Sequence, residues 1–302
     1  MPSYDDDDEW VGGVPPEGHH TRAQARPEFW WHQRPPQIAF AGIVVVLAIL
    51  AIVVLAGCGG SSDDDGGGDR SSQSAEQILK EVAAELGKVR SYHVSGTSVD
   101  KEGSSVISGD VTDSGAVRLS VTKDGEPLTV ISVDGQQYLK ASGNYWRDNG
   151  GAQGPRLAGL LGDRWVKMPA SSVKSLQADI NRTLPKELAY CLSQETGPFE
   201  KAGMRSVDGR PTIVIRNKDT KPGSEPGELY VPTSGPALPV RTRQTGPRRP
   251  GGELDPRCEN TDSTEKSSTA TFSKFNAVKP ISAPPNPLDL EQLGRAGGGG
   301  TA

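Results

Sequence analysis

Residues 92–141 read "YHVSGTSVDKEGSSVISGDVTDSGAVRLSVTKDGEPLTVISVDGQQYLKA" and carry turn signals at nearly even intervals. Each signal ends in a glycine, at Gly103, Gly115, Gly125 and Gly135. Between these turns apolar and polar residues alternate, as in "VRLSVT" at residues 117–122. Asp-Gly turns that separate segments of period two are typical of an antiparallel meander. We therefore predict five strands that pair in sequence order.

The segment before the meander, "SAEQILKEVAAELGKV", predicts an amphipathic helix. Ser74 suits the N-cap, and Gln77 three residues later completes a capping box. Apolar residues recur at steps of three and four, which places them on one helical face. They are Ile78, Leu79, Val82, Leu86 and Val89. Such a helix needs an apolar surface to lie on, and the meander follows directly.

The rest of the chain adds further helices and then further strands. Residues 155–192 have helical spacing that Pro185 interrupts or kinks. Strand signals return in "RSVDGRPTIVIR", "GELYVP", "LPVRTRQ" and "STATFSKFN", and "ISAPPNPLDLEQL" is expected to run extended. This order predicts the α+β class, with helices packed against one large curved antiparallel sheet.

An apolar run, "IAFAGIVVVLAILAIVVLAGC", occupies residues 38–58 and ends on Cys58. A run of about 20 apolar residues spans a bilayer core, whereas signal-peptide cores usually have about 7–15 residues. Its length thus favours a retained membrane span. The sequence Leu55-Ala56-Gly57-Cys58 instead resembles the lipobox of bacterial prolipoproteins. The lipobox implies cleavage before Cys58 and a diacylglycerol on its thiol; a cysteine that ends a helix by chance is the third interpretation.

Charge gives the orientation of this segment. Arg22, Arg26 and Arg34 flank its amino-terminal end, and the positive-inside tendency places that end in the cytoplasm. We predict a disordered tail at 1–37, the apolar segment at 38–57, a flexible tether at 58–73, a domain at 74–290 and a loose tail at 291–302. The domain is then extracytoplasmic and held at the cell membrane by a lipid anchor or a single span.

Several classes of function have little support. From Cys58 onward the chain has 30 basic and 31 acidic residues, against 33 and 38 in the whole chain, so we predict no nucleic-acid partner. A Ser-His-Asp triad would have to use His93, the one histidine after Cys58, and no Gly-x-Ser-x-Gly motif accompanies it. We predict no catalytic residues, no metal and no cofactor; the residues at 63–65 are a solvated Asp run rather than a calcium loop.

The two remaining cysteines, Cys191 and Cys258, form an even pair in an exported domain, which predicts a disulfide. The chain-entropy estimate for a loop of this length is about 4 kcal/mol. The bond would pin the insert "TGPRRPGGELDPRCENTDS" to the body of the domain. A free catalytic thiol is the alternative interpretation.

Short motifs in order resemble a known family. These are "VRSYHVSGT", "VDGQQYLKASGNYW", "RWVKMPA", "VDGRPTIVIR", "GELYVPTSGPALPVR" and "TFSKFNAVKPISAPP". Together with the lipobox they resemble the actinobacterial LppX/LprG-type lipoproteins and, more distantly, the LolA/LolB-like carriers. The resemblance implies a half-open β-barrel, LolA-like, with helices on its concave face. It also implies a non-enzymatic protein that holds acyl chains between sheet and helices. The long amino-terminal tail and the insert around Cys258 depart from the family pattern.

We therefore predict a membrane-anchored protein that binds or carries a lipid, a glycolipid or lipoprotein acyl chains. The predicted pocket walls are one face of the first helix and alternate residues of the meander: Ile78, Leu79, Val82, Leu86, Val117, Leu119 and Val121. The alternative is a tethered sensor or structural module with the same fold and a filled core. The ligand and the oligomeric state stay open.

Overall fold

In the computed structural model, the described part of the chain forms a domain whose frame is one sheet of twelve strands. The structure describes residues 69–293 except 102, 171–173, 195–196, 218–225, 248–254, 256 and 259–266. The strands are β1 (Ser91–Val99), β2 (Ser104–Thr112), β3 (Val117–Lys123), β4 (Glu126–Val133), β5 (Gln136–Ala141), β6 (Trp165–Lys167), β7 (Phe199–Val207), β8 (Arg210–Asn217), β9 (Gly227–Pro232), β10 (Arg241–Gln244), β11 (Ser267–Ser273) and β12 (Leu288–Asp289). The helices are α1 (Ala75–Leu86), α2 (Gly143–Asn149), α3 (Gly154–Leu161), α4 (Lys174–Arg182) and α5 (Pro185–Gln194). The predicted meander is β1 to β5.

Asp-Gly turns set the register of the meander. At β3–β4 and β4–β5 the turn residues Asp124 and Asp134 have φ of 51°, and Gly125 and Gly135 have φ of 85° and 70°. Positive φ at both central residues defines the turn whose twist matches that of the two flanking strands. The turn at Asp208, between β7 and β8, follows the same pattern. A short polar aspartate followed by glycine tolerates this conformation, so each hairpin has a single favoured register.

The sheet is open. Its strand order is β12-β6-β5-β4-β3-β2-β1-β11-β10-β9-β8-β7, so β12 and β7 form the two edges. All pairings are antiparallel except β12 with β6, which is parallel. The predicted α+β class with one large, half-open sheet is confirmed, although the last short strand makes the sheet mixed rather than purely antiparallel.

One face of the sheet, the inner face, is apolar and carries the helices. Alternate strand residues such as Val94, Ile107 and Val130 are buried on it in one cluster with the apolar face of α1. A smaller cluster that contains Ile131 and Tyr138 lies on the opposite, outer face. The strand period of two separates these faces, as the alternation in the sequence predicts.

Helix α1 begins as predicted. Ser74 Oγ accepts a hydrogen bond from the Gln77 backbone N–H at 3.2 Å, and Gln77 Oε1 accepts one from the Ser74 N–H at 2.8 Å. This reciprocal capping box satisfies two of the N–H groups that a helix start leaves unpaired. Pro185 also acts at a helix start, because it is the first residue of α5 and separates α5 from α4.

The contacts of the domain begin at Arg70, inside the range predicted as tether. The Arg70 side chain is buried, pairs with Glu81 of α1 at 2.8 Å, and donates to the carbonyl oxygens of Pro232 and Gly235 at 3.2 and 2.6 Å. Its backbone N–H also donates to the Thr233 carbonyl oxygen at 3.0 Å. The connection between β9 and β10 therefore holds the start of the domain four residues before Ser74.

In the structure Cys191 and Cys258 are joined by a disulfide, with their Cα atoms 5.4 Å apart. A polar cluster adjoins the bond. The Tyr190 hydroxyl donates to Asp255 at 2.6 Å, and the Arg257 guanidinium lies 3.6 Å from the centre of the Tyr190 ring. The hydrogen bond from Tyr190 and those from Arg257 lower the pKa of Asp255 to about 2. The insert between β10 and β11 is thus attached to α5 by the disulfide, by the hydrogen bond from Tyr190 to Asp255 and by the contact of Arg257 with the Tyr190 ring.

We predict that Cys191→Ser and Cys258→Ser each lower the free energy of unfolding by about 4 kcal/mol, because either change frees the same long loop in the unfolded chain. The double variant should be no less stable than either single variant. Chemical denaturation measures this, and non-reduced peptide mapping of the wild type should find both cysteines in one species. Reaction of both thiols with an alkylating reagent in the native protein would contradict the disulfide.

Candidate functional site

The seven predicted pocket residues lie together in the interior between sheet and helices. On α1, Ile78, Leu79, Val82 and Leu86 are at most 1% exposed, and on β3, Val117, Leu119 and Val121 are at most 6% exposed. All seven belong to one apolar cluster. The steps of three and four residues therefore identified the inward side of α1 correctly, and the alternation identified that of β3. That these residues touch a ligand stays a prediction.

The helices that cover this cluster are short and pack mainly in two pairs. α1 packs on α5, and α2 packs on α3. Leu188 and Leu192 of α5 join the cluster from above, as do Trp146 of α2 and Leu161 of α3. Beneath them the cluster extends from Val166 on β6 to the inner residues of β8. A continuous apolar face is thus covered by separate pieces rather than by one long helix.

Three buried polar atoms of this region lack a partner among the described residues: Thr242 Oγ1 on the inner face of β10, and two atoms on neighbouring residues of α2. Tyr145 Oη and Trp146 Nε1 are buried, and neither forms a hydrogen bond with any described residue. Burial raises the pKa of the Tyr145 hydroxyl. Leaving a buried donor unpaired costs about 1–3 kcal/mol, so buried polar atoms are nearly always bonded. By contrast, the Tyr92 hydroxyl on the same inner face donates to the Thr183 carbonyl oxygen at 2.6 Å.

Tyr145 and Trp146 lie on helix α2, directly after β5. Ser142 Oγ caps α2 by accepting the Tyr145 backbone N–H at 3.1 Å. Ser142 Oγ also donates to Glu126 of β4, which lowers the pKa of that carboxyl. Trp146 lies in the core cluster, 6% exposed. The "SGNYW" motif therefore begins a helix whose N-cap is Ser142. A serine before a helix is a common N-cap, so this residue could have predicted the helix from the sequence.

One cleft, which we call the turn cleft, lies between the meander turns and α4. Residues 113–116 of the β2–β3 turn, residues 134–135 of the β4–β5 turn, and Gln177 and Asn181 of α4 line it. Its volume is about 480 Å³, and polar groups contribute much of its wall.

A second cleft, which we call the proline cleft, has a volume of about 370 Å³. Its walls include Pro211, Pro232, Pro236, Leu238 and Phe275. None of the seven predicted pocket residues borders either of these two clefts among the described residues.

Both clefts lie at the end of the sheet where the described domain begins. The turns after β2 and β4 and the connection after β9 all occur at this end, because neighbouring strands alternate in direction. Arg70 bonds to Pro232 and Thr233, and both of these residues also line the proline cleft. We call this the tether end of the sheet.

His93 has partners that the sequence did not reveal. On the outer face, His93 Nδ1 lies 2.7 Å from Asp110 Oδ1, and Ser108 Oγ lies 3.4 Å from His93 Nε2. The register of β1 with β2 brings them together, since His93 pairs directly with Asp110. Three residue types of a catalytic triad thus meet on the outer face of the sheet.

The backbone of β2 offers this group no oxyanion hole. Ser108 lies in mid-strand, and its strand pairs with β1 on one side and β3 on the other. The backbone N–H groups of β2 are therefore engaged in the sheet ladder, whereas an oxyanion hole needs donors that point at the substrate. The arrangement is that of a polar cross-strand cluster on a solvent-facing sheet.

Metal sites and membrane-spanning helices are absent from the described ranges. There, no three His, Cys, Asp or Glu side chains group in a way that would hold a metal ion. No helix of that part of the chain has the length and apolar character needed to cross a membrane. The apolar segment at 38–57 and Cys58 lie outside the described residues.

Comparisons with known proteins concern the fold. No family model matches the sequence, and no curated protein matches it. Among solved structures the chain is similar to lipoprotein LppX of Mycobacterium tuberculosis, with TM-score 0.42 and 16% identity over 68% of this chain and 97% of that one. LprF from Mycobacterium bovis gives TM-score 0.42 and 16% identity over 70% and 96%. A LolA superfamily protein from Nitrosomonas europaea gives 0.20 and 11% over 70% and 96%. The resemblance to LppX-type lipoproteins that the motifs indicate thus recurs among solved structures, as a distant likeness that assigns no ligand.

Proposed function

We propose that this protein is an extracytoplasmic lipoprotein, tethered through Cys58, that binds an amphiphile by enclosing its acyl chain between the helices and the inner face of the sheet. It acts as a carrier or binder and not as an enzyme. The bound molecule is a lipid, a glycolipid or the acyl part of another lipoprotein.

The observation that carries this proposal is the divided cover over one continuous apolar face. An open sheet cannot bury its own inner face, so the helices must do so. Here the cover consists of pieces of 7 to 12 residues. Short helices owe most of their stability to the surface they pack on, so a pair can shift outward as a unit when another apolar surface replaces the protein contact.

Acyl binding in such an interior needs no reactive group. Each buried methylene contributes about 0.8 kcal/mol, so a chain of ten methylenes gains about 8 kcal/mol before the cost of ordering it. The residues that would surround the chain on α1 and β3 are all aliphatic. Nothing in this mechanism requires the polar cluster around His93.

The tether end is the side from which we expect an amphiphile to enter. Eleven residues separate Cys58 from Arg70, and a Gly/Ser/Asp-rich chain of this length spans about 20 Å. An anchor at Cys58 would therefore keep the proline cleft and the turn cleft close to the bilayer surface. The proline cleft, whose wall is mainly apolar, is the nearer of the two to Arg70.

The alternative function is a tethered sensor or structural module whose interior is a filled core. It is favoured by one observation: the seven predicted wall residues are already buried against protein in the structure. The two functions predict different effects of a larger side chain in this interior. A filled core has no room for it and is destabilised, whereas a pocket has room and loses only space for the ligand.

We predict that Val121→Trp lowers the uptake of a fluorescent acyl probe by about tenfold, because the indole replaces at least two methylenes of the bound chain. Its free energy of unfolding should change by less than about 1 kcal/mol, whereas overpacking a filled core costs about 1–3 kcal/mol. Probe titration and denaturation of a chain that begins at Asp69 measure both quantities, since the contacts described above lie within residues 69–293.

Thr122→Trp is the matched control. Thr122 is the next residue on β3 and is exposed on the outer face, so the same indole there should leave probe uptake unchanged. No uptake by the wild type, together with strong destabilisation by Val121→Trp alone, would favour the filled-core module.

We predict that Cys58 is the first residue of the mature protein and carries a diacylglycerol. Mass spectrometry of the membrane-extracted protein should find this modified terminus, and Cys58→Ala should accumulate as uncleaved precursor. The control is Cys258→Ser, which should be processed normally. An intact terminus at Met1 or Pro2 in the wild type would contradict the lipid anchor and favour a transmembrane span.

A further inference from the structure

We propose that the Tyr145 hydroxyl and the Trp146 indole N–H form the polar subsite of the binding interior, where they donate hydrogen bonds to an acceptor oxygen of the ligand. The ligand oxygen is an acyl carbonyl, as in an ester or an amide. This inference rests on the proposed function and specifies which chemical class of amphiphile the interior prefers.

The two donors lie at one place in the fold. They belong to consecutive residues of α2, and their rings are in edge contact with centroids 5.4 Å apart. Trp146 is 94% buried and belongs to the same apolar cluster as the predicted wall residues, and Tyr145 packs against that cluster. Both polar atoms are shielded from solvent, and no described side chain or backbone group bonds to them.

Three other described tyrosines donate their hydroxyl hydrogens to protein acceptors, unlike Tyr145. Tyr92 donates to Thr183, Tyr190 to Asp255 and Tyr230 to Glu228, each at 2.6 or 2.7 Å. The hydroxyl of Tyr145 is buried without such an acceptor. The neighbouring Trp146 indole N–H is also buried without an acceptor. Two unpaired donors side by side indicate that an acceptor from outside the chain is missing, rather than that one side chain is misplaced.

The donor types define the ligand group. An indole N–H can only donate, so the partner it shares with the Tyr145 hydroxyl must offer lone pairs. A hydrocarbon tail cannot satisfy either donor, and an ammonium group has no lone pair to offer. A carbonyl oxygen has two lone pairs and occurs where an acyl chain joins its head group, which is where an otherwise apolar ligand first needs polar contacts.

The subsite is held in place from the sheet. Ser142 caps α2 and donates to Glu126, and Asn144 Nδ2 donates to the same carboxylate at 3.1 Å. The first turn of α2 is therefore fixed to the start of β4 before any ligand binds. A donor pair placed in advance loses little freedom on binding, which increases the affinity gained per hydrogen bond.

Photocrosslinking of the full chain in its membranes tests this subsite. The probes are a diazirine-bearing monoacylglycerol and its alkyl-ether analogue, which has the same chain and no carbonyl. The wild type should label about fivefold more with the ester than with the ether. Tyr145→Phe, which removes only the hydroxyl oxygen, should reduce the ester labelling towards the ether level. Tyr138→Phe, in the outer-face cluster, is the matched control and should keep the preference.

The outcomes are distinct. Equal labelling of wild type and Tyr145→Phe by the ester, or no ester preference in the wild type, would overturn the subsite; a trapped water as the only partner gives this result. Lower stability of ligand-free Tyr145→Phe in proteolysis would also overturn it, because the hydroxyl would then have a protein partner. Absence of labelling by both probes in the wild type would instead contradict the proposed function itself.

Discussion

Packing of α1 on the inner face of the sheet keeps that apolar face from water. Without this contact the sheet would expose the largest apolar surface of the domain. The apolar side of α1, from Ile78 to Leu86, is almost completely buried in the same cluster as β3. A closed barrel would cover its interior by itself, but this sheet ends at β7 and β12 without joining them. The capping box at Ser74 holds the amino-terminal end of α1, and the pairing of Arg70 with Glu81 holds its middle.

The two ends of the sheet are organised differently. At the end opposite the tether, the insert between β10 and β11 is joined to α5 by the Cys191–Cys258 disulfide. At the tether end lie the turn cleft and the proline cleft. The disulfide keeps the insert and α5 together, so we expect the helix cover to open at the end that lacks such a bond. This difference is consistent with the proposed entry of an amphiphile at the tether end.

Much of the fold could be predicted because it depends on local signals. Asp124-Gly125 and Asp134-Gly135 are hairpin turns in sequence and in structure, and the Ser74–Gln77 pair marks the start of α1 in both. Strand alternation also identified the inward residues of β3, since period two leaves only two choices.

Features that depend on contacts distant in sequence could not be predicted. Arg70 looks like part of a polar tether, and its acceptors at Pro232 and Gly235 follow more than 160 residues later. Asp110 and Ser108 join His93 only through the register of β1 with β2. The unpaired atoms of Tyr145 and Trp146 are likewise visible only once the fold surrounds them, because a sequence does not show which donors lack acceptors.

Native mass spectrometry of the protein, purified without strong detergent from the cells that produce it, would show directly whether the interior holds an amphiphile. We expect the protein to carry one acyl-bearing molecule, which organic solvent extracts and tandem mass spectrometry identifies as containing an acyl carbonyl. Bare protein under the same conditions, with full folding verified by its resistance to proteolysis, would exclude acyl binding and indicate an interior filled by the chain itself.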